Sequence, residues 1–292
     1  QIIDMDKCYI ENEDADKILL TIKKLLNKFE IEPADVFANT GIMRYVLIRK
    51  SKANGDVTVV FVTKNEFFPK KERLVRELVE KHKNIKTVVQ NINNSRSSVV
   101  LSKKEKVLFG PGYIEDKISD LTFKISAQSF YQVNPIQTEI LYEKAIEFAS
   151  LTGNETVLDA YCGVGTIGLV AAKKAKKVIG VEVVKEAVIN AKENAKINKL
   201  SNAEFYHDDA TSFIHRLANE KKKLDVIFMD PPRDGSTNSF IQAVFALKPN
   251  KVVYVSCDPS SLARDLKMLT KEYDVIKVQP VDMFPQTYHV ET

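Results

Sequence analysis

Apolar side chains recur along residues 14–29 at Ile18, Leu19, Ile22, Leu25, Leu26 and Phe29, which is one face of a helix. The spacing predicts a helix there. Strand-like apolar runs follow at 43–50 and 57–63, and Asn54-Gly55 between them marks a hairpin turn. Beyond Pro69 the pattern is that of a basic amphipathic helix carrying Lys70, Lys71, Arg73, Arg76, Lys81 and Lys83, and β-rich pieces come after it at 85–92, 97–101, 106–114 and 121–125. Residues 1–125 thus read as a small mixed α/β domain.

From about residue 126 the pattern turns into regular alternation. Strand candidates at 155–159, 177–181, 203–206, 224–229, 251–255 and 274–279 are separated by helical patterns such as 185–197 and 258–270. Strands alternating with helices predict an α/β fold with a doubly wound parallel sheet over 126–292. No internal repeat or low-complexity segment interrupts either part.

Composition narrows the classes without choosing one. The chain has 292 residues, 44% of them hydrophobic and 28% charged, enough for two domains with a real core. A net charge of +4, from 43 basic and 39 acidic residues, permits a polyanionic partner but does not require one. Cys8, Cys162 and Cys257 are far apart and odd in number, which argues against a disulfide framework and for a reducing cytoplasm with free thiols. No apolar run approaches the roughly 20 residues of a membrane span, so no membrane partner is expected. The chain opens on Gln1 and stops at Thr292, directly after a motif, which suggests a piece cut from something longer.

Three segments carry candidate chemistry, and each follows a strand-like run, where an open α/β sheet places its ligands. In the first, Val157-Leu158-Asp159 leads into Gly163-Val164-Gly165-Thr166-Ile167-Gly168, a G-x-G-x-x-G between strand and helix, with Glu182 at the end of the next strand. Taken alone this suits a dinucleotide, so a nicotinamide dehydrogenase is a legitimate rival. Asp159 favours another ligand: pointed into the loop, it would repel a pyrophosphate and attract the ammonium and sulfonium of S-adenosylmethionine. At ~4 Å and an effective dielectric near 20 such a charge pair is worth about 4 kcal/mol before desolvation. Cys162 reads as a small loop residue rather than a nucleophile.

The second segment is Tyr254-Val255-Ser256-Cys257-Asp258-Pro259, which delivers a thiol to a helix start with Asp258 as N-cap and Pro259 at the first helical position. The helix dipole contributes only ~0.3 to 1 kcal/mol, and the Asp258 charge opposes it. Activation must come mainly from the geometry of bound substrate. In the third, Asp230-Pro231-Pro232-Arg233 holds a carboxylate at a strand tip. Enzymes that methylate exocyclic amines of bases use a similar loop with an aromatic after the prolines, where this chain has Arg233. Glu291, near the chain end after Pro285-Gln286-Thr287-Tyr288-His289, gains interest only in combination with Cys257.

Together, Asp159-Ala160-Tyr161-Cys162-Gly163, Asp230-Pro231-Pro232-Arg233-Asp234-Gly235, Ser256-Cys257-Asp258-Pro259 with Ala263-Arg264-Asp265-Leu266, and Asp282-Met283-Phe284-Pro285 through Glu291 resemble the RNA 5-methyluridine methyltransferases. The resemblance implies a class I methyltransferase fold in which Cys257 attacks C6 of a uridine and Glu291 removes the C5 proton. It implies a methyl-donor site of Gln132, Tyr161, Gly163, Gly165, Glu182, Asp209 and Asp230, with S-adenosylmethionine as cofactor. It also implies an RNA partner, ribosomal (23S) RNA favoured over transfer RNA, and a monomeric cytoplasmic protein. Arg49, Lys50, Lys52, the basic helix from Lys70 to Lys83, and Lys103, Lys104 and Lys106 are candidate phosphate contacts. Many relatives add an N-terminal RNA-binding barrel and a four-cysteine iron-sulfur site. Here only Cys8 matches its last ligand, so a cluster is expected only in a longer parent chain. An exocyclic-amine methyltransferase and a noncatalytic RNA-binding fragment complete the rivals.

Overall fold

The structure is a computed structural model describing residues 12–35, 38, 40–97 and 99–292, so Cys8 lies outside the described residues. The chain divides into two units, Gln1–Lys117 with Lys124–Gln128, and Ile118–Phe123 with Ser129–Thr292.

In the first unit, Asn12 caps helix α1 (Glu13–Lys28) by accepting the Asp14 amide at 3.0 Å, and the acids Glu13, Asp14 and Asp16 suit its positive end. Strands β1 (Met43–Lys50) and β2 (Val57–Thr63), helix α2 (Lys71–Lys81), and strands β3 (Ile85–Ile92) and β4 (Glu105–Phe109) follow. They form one sheet in the order β1-β2-β3-β4, in which β2 and β3 run parallel across the α2 crossover and the outer pairs are antiparallel. Every residue of β2 is buried because both sheet faces are covered. Ile18, Ile22 and Leu25 from α1 and Leu74 and Leu78 from α2 pack with Val57, Val59 and Phe61, while Val60 and Val62 meet Val89 and Ala127. The hairpin expected at Asn54-Gly55 forms, with Gly55 at φ +79°.

Two β-rich expectations change. Residues 99–101 are not a strand: the Asn93 amide donates to the Val99 and Val100 carbonyls at 2.8 and 3.0 Å, taking acceptors a ladder would have used. The 106–114 stretch breaks at Gly110 and Gly112, both at positive φ, into β4 and a new strand β5 (Tyr113–Ile118) that pairs with β6 (Leu121–Ser126).

The second unit alternates as the pattern predicts: α3 (Pro135–Ala149), β7 (Thr156–Ala160), α4 (Thr166–Ala172), β8 (Lys177–Glu182), α5 (Lys185–Ile197), β9 (Ala203–His207), α6 (Ala210–Asn219), β10 (Val226–Met229), α7 (Asn238–Leu247), β11 (Lys251–Tyr254) and α8 (Pro259–Leu269). Its sheet is parallel throughout, in the order β11-β10-β7-β8-β9. Leu158, Ile227 and Met229 are wholly buried beneath Phe213, Ile214, Phe240 and Val244 of the helices. The chain moves outward from β7 to β9 and then returns to the other side of β7 with β10, so the order reverses between β7 and β10. At such a switch point the strand ends leave a crevice. The expected strand at 274–279 is absent, and the described sheet ends at β11. An extended apolar segment becomes a strand only when a neighbour takes its backbone hydrogen bonds, and none does here. Val275, Ile276 and Val278 are instead exposed.

Candidate active site

The switch-point crevice is built by the glycine loop. Tyr161 leaves β7 at φ +64°, and Gly163 at φ +54° has open space where a Cβ would stand, so a ligand can approach the backbone. Gly165 is different: at φ +82° it starts α4, and a Cβ there would lie 2.9 Å from the Phe205 ring, so packing demands the glycine. Glu182 fixes the loop by accepting the Gly163 amide at 3.1 Å and the Val184 amide at 2.8 Å. A cleft results, lined by Phe130, Tyr131, Gln132, Tyr142, Tyr161 and Gly163 together with Asp159 and Asp230. Asp159 is wholly buried and accepts the Gly168 amide at 2.7 Å.

On the other side of β10, the run out of β11 makes the thiol turn. Ser256 Oγ donates to the Asp258 carbonyl at 2.9 Å, and Asp258 caps α8 by accepting the Ser260 and Ser261 amides at 2.8 and 2.9 Å. Cys257 stands between them, half-buried. Glu291 is brought to it by the backbone: Thr292 and Ser256 exchange amide hydrogen bonds, both at 2.9 Å, while Glu291 and Val281 exchange theirs at 3.1 and 2.7 Å. A residue 34 positions downstream of Cys257 in the sequence is thereby stitched beside it, with its side chain buried.

Asp265 supports this wall from behind. Its Oδ2 accepts the Ser236 amide and the Tyr254 hydroxyl, both at 2.7 Å, and Oδ1 accepts Arg264 at 2.8 Å. Arg264 also donates to the Asp234 carbonyl, so the loop after Asp230 is held at two points. Gly235, at φ +75°, leaves room for this: a Cβ would fall 2.6 Å from Asp265 Oδ2.

The electrostatics follow from burial among acids. Desolvation pushes the Asp159 carboxyl up to about 7, against the Gly168 amide and with a smaller push from Glu182. Desolvation, then the Glu291 and Asp159 charges, raises Asp230 to about 8. The Cys257 thiol is raised by desolvation and by Glu291 and Asp230, and Arg233 opposes. Burial raises Glu291 as well, with Arg233 again pulling down. Arg233, after the two prolines, is thus the cation that partly offsets an acidic site.

The structure gathers Gln132, Tyr161, Gly163 and Asp230 at one cleft, and Glu182 holds its loop. Gly165 is outside the lining, and Asp209 is committed to capping α6 by accepting the Ser212 amide at 2.9 Å. Sequence reasoning overlooked Tyr142, whose hydroxyl meets Thr166 Oγ1 at 3.0 Å and which burial makes a weaker acid than a solvated tyrosine. Its position on the buried stripe of α3 is the only signal in the sequence, and that stripe also carries plain core residues. The carboxyl groups of Asp159 and Asp230 and the aromatic side chains of the lining fit the sulfonium and ammonium cations and the adenine ring of S-adenosylmethionine. A pyrophosphate would meet two carboxyl groups and no cationic side chain among the lining residues. Among the described residues no cluster of side chains could hold a metal ion.

Comparisons with known proteins agree with this chemistry. The chain is 47% identical over 287 residues to an Oceanobacillus iheyensis protein named as an RNA methyltransferase, covering 98% of this chain and 62% of that one. A relative so named from Caldanaerobacter subterraneus is 46% identical, with 65% of its length covered, so the chain spans about two-thirds or less of these proteins. The crystal structure of Pyrococcus abyssi tRNA (uracil-54, C5)-methyltransferase in complex with S-adenosyl-L-homocysteine aligns with a TM-score of 0.81 and 29% identity, covering 100% of this chain and 69% of that chain. An M. jannaschii tRNA m1G37 methyltransferase, at 16% identity and TM-score 0.51 over 93% of this chain and 76% of that one, shares the fold alone. The model of the tRNA (uracil-5-)-methyltransferases matches residues 71–292, and with the relatives above it shows that the chain belongs to that family of S-adenosylmethionine-dependent RNA methyltransferases.

Proposed function

We propose that this chain methylates C5 of a uridine in RNA by covalent catalysis, with Cys257 as nucleophile and Glu291 as proton acceptor. The observation that carries the reading is the pair of backbone exchanges tying Thr292 to Ser256 and Glu291 to Val281, which brings a buried carboxyl into the field of the Cys257 thiol. Uracil C5 is a poor nucleophile. Addition of the Cys257 thiolate across C5–C6 forms an S–C6 bond and places the electron pair on C5. S-adenosylmethionine, when bound, supplies the electrophilic methyl group. Glu291 then takes the remaining C5 proton, the S–C6 bond breaks, and the thiolate returns with the aromatic ring restored. Glu291 is buried away from water, so its carboxyl is a stronger base than a solvated glutamate.

In this reading Gln132, Tyr161, Gly163 and Asp230 line the donor cleft, Glu182 orients its loop, and Gly165 and Asp209 support it through packing and capping. The target base must leave its stack to reach Cys257, which is easiest in a loop or single strand. From the resemblance of its motifs we favour ribosomal RNA as the substrate class. Transfer RNA is the second reading, supported by the named activity of the Pyrococcus abyssi neighbour.

RNA containing 5-fluorouridine tests the chemistry, because fluorine at C5 cannot leave as a proton. A denaturation-resistant protein–RNA adduct is expected, and none with Cys257→Ala. Absence of adduct from the unaltered protein with donor and methylatable RNA would overturn the covalent mechanism. Mapping 5-methyluridine in total RNA from cells lacking the protein decides between ribosomal and transfer RNA.

A further inference from the structure

The segment that delivers Glu291 carries an aromatic group with no part in the chemistry above. Val281 and Glu291 pair as the two ends of a loop, and the loop is internally tied: the Thr287 amide and hydroxyl donate to the Phe284 carbonyl at 3.2 and 2.7 Å, and the His289 amide donates to Thr287 Oγ1 at 3.2 Å. Its base is anchored to α3, where the Asn134 side chain donates to the Met283 carbonyl at 3.3 Å. On this frame the Tyr288 ring lies 4.2 Å from the His289 ring at 37°, and Phe284 meets His289 edge-on at 5.9 Å. Tyr288 is 91% exposed.

The ring leans on one neighbour and leaves nearly all of its surface open to a partner. Tyr288 is three residues before Glu291, and the His289 charge is felt at Asp258, next to Cys257. The neighbouring cation is the exposed Arg233, whose field reaches Cys257, Asp258 and Glu291. Aromatic faces beside a cation match the two recurring parts of single-stranded RNA, a base and a phosphate.

We infer that Tyr288, backed by His289 and Phe284, is a stacking platform for an unpaired RNA base flanking the uridine that enters the Cys257 pocket. The inference takes its substrate class from the proposed function and adds a recognition element to it. Tyr288 contacts substrate as a binding residue, and His289 acts through it as a positioning residue.

The chain contains no tryptophan, so Tyr288→Trp installs a single indole. In a Cys257→Ala background with S-adenosyl-L-homocysteine, uridine-loop RNA hairpins are expected to quench that indole on binding. Hairpins made abasic at both positions flanking the uridine should bind without quenching. Tyr288→Ala should weaken RNA affinity about tenfold, ~1.4 kcal/mol, within the ~1–3 kcal/mol typical of one stacked base. Tyr288→Phe should keep the affinity. An unquenched indole at RNA saturation, equal quenching by the abasic hairpins, unchanged affinity of Tyr288→Ala, or a Tyr288→Phe as weak as the alanine variant would each overturn the platform. These measurements need no turnover. A normal 5-fluorouridine adduct with an unquenched indole removes only the platform, whereas quenching without adduct removes only the covalent chemistry.

Discussion

Cys162 and Cys257 each follow the carboxyl end of a parallel strand in one sheet, yet they have opposite surroundings. Cys162, after β7, is 5% exposed, its amide is tied to the Val181 carbonyl, and its Sγ would stand 3.0 Å from a Cβ on Gly180. Burial pushes that thiol well up, with Asp159 and Glu182 adding to it. Cys257, after β11, is raised too, but it stands half-open on a capped turn with Arg233 in opposition. Equivalent places in a fold therefore do not confer equivalent chemistry. What differs is whether the loop closes over the sulfur or presents it, and which charge faces it.

The comparison breaks first at the thiols themselves. Cys257→Ala should lower methyl transfer by at least about 10³-fold, as loss of a covalent nucleophile does, while Cys162→Ala should keep transfer within about threefold and cost about 1 kcal/mol of stability for the lost buried atom. Single-turnover transfer and urea unfolding of both variants check this. Equal losses in transfer would end the distinction. Next comes the base: Glu291→Gln should slow product formation by roughly 10²- to 10⁴-fold while a covalent RNA complex accumulates, detected on denaturing gels with ordinary uridine RNA.

The role of Arg233 is read from pH. Cys257 and Glu291 both act deprotonated and both lie above their ordinary values, so transfer should rise with pH to a plateau. Arg233 pulls both down. Arg233→Gln should therefore move the rising limb to higher pH, and a limb that stays in place would show that Arg233 does not face the pair. Gly235→Ala should cost about 1–3 kcal/mol of stability through a strained positive φ and through its contact with Asp265, measured by urea unfolding. The slope of stability against pH tests Asp230. Its folded value of about 8 lies above the ordinary carboxyl value, so the folded state binds more protons than the unfolded one between roughly pH 4 and 8, and stability falls as pH rises through that window. Asp230→Asn should reduce the slope by up to about 1.4 kcal/mol per pH unit, seen as a flatter dependence of unfolding midpoint on pH.

Much of the second unit was legible because its signals are local. The apolar runs at 224–229 and 251–255 became β10 and β11, the 185–197 pattern became α5, and Asp258-Pro259 capped α8 as expected. The glycine loop was legible as a ligand loop, but its glycines divide: Gly163 faces open space and Gly165 faces Phe205, a partner about 40 residues away. The sign argument for Asp159 also needed the fold. Its location in the cleft agrees with the reading, but burial raises it to about 7, so near neutrality much of its charge is suppressed. Asp209 reads as a ligand by motif and is observed as a helix cap.

The failures share a cause. The 97–101 and 274–279 stretches have strand composition, yet a strand exists only when another backbone accepts and donates along it. Asn93 supplied that pairing from a side chain in the first case, and no described strand supplied it in the second.

Element type, order and the turn that bears Cys257 are set by short-range periodicity, capping and backbone preference, so they can be read along the chain. The association of Glu291 with that thiol, the Asp265 anchor behind the Asp230 loop and the suppressed ionisation of Asp159 and Asp230 depend on contacts between distant segments and on exclusion of water. Those quantities come into being only once the chain has closed on itself.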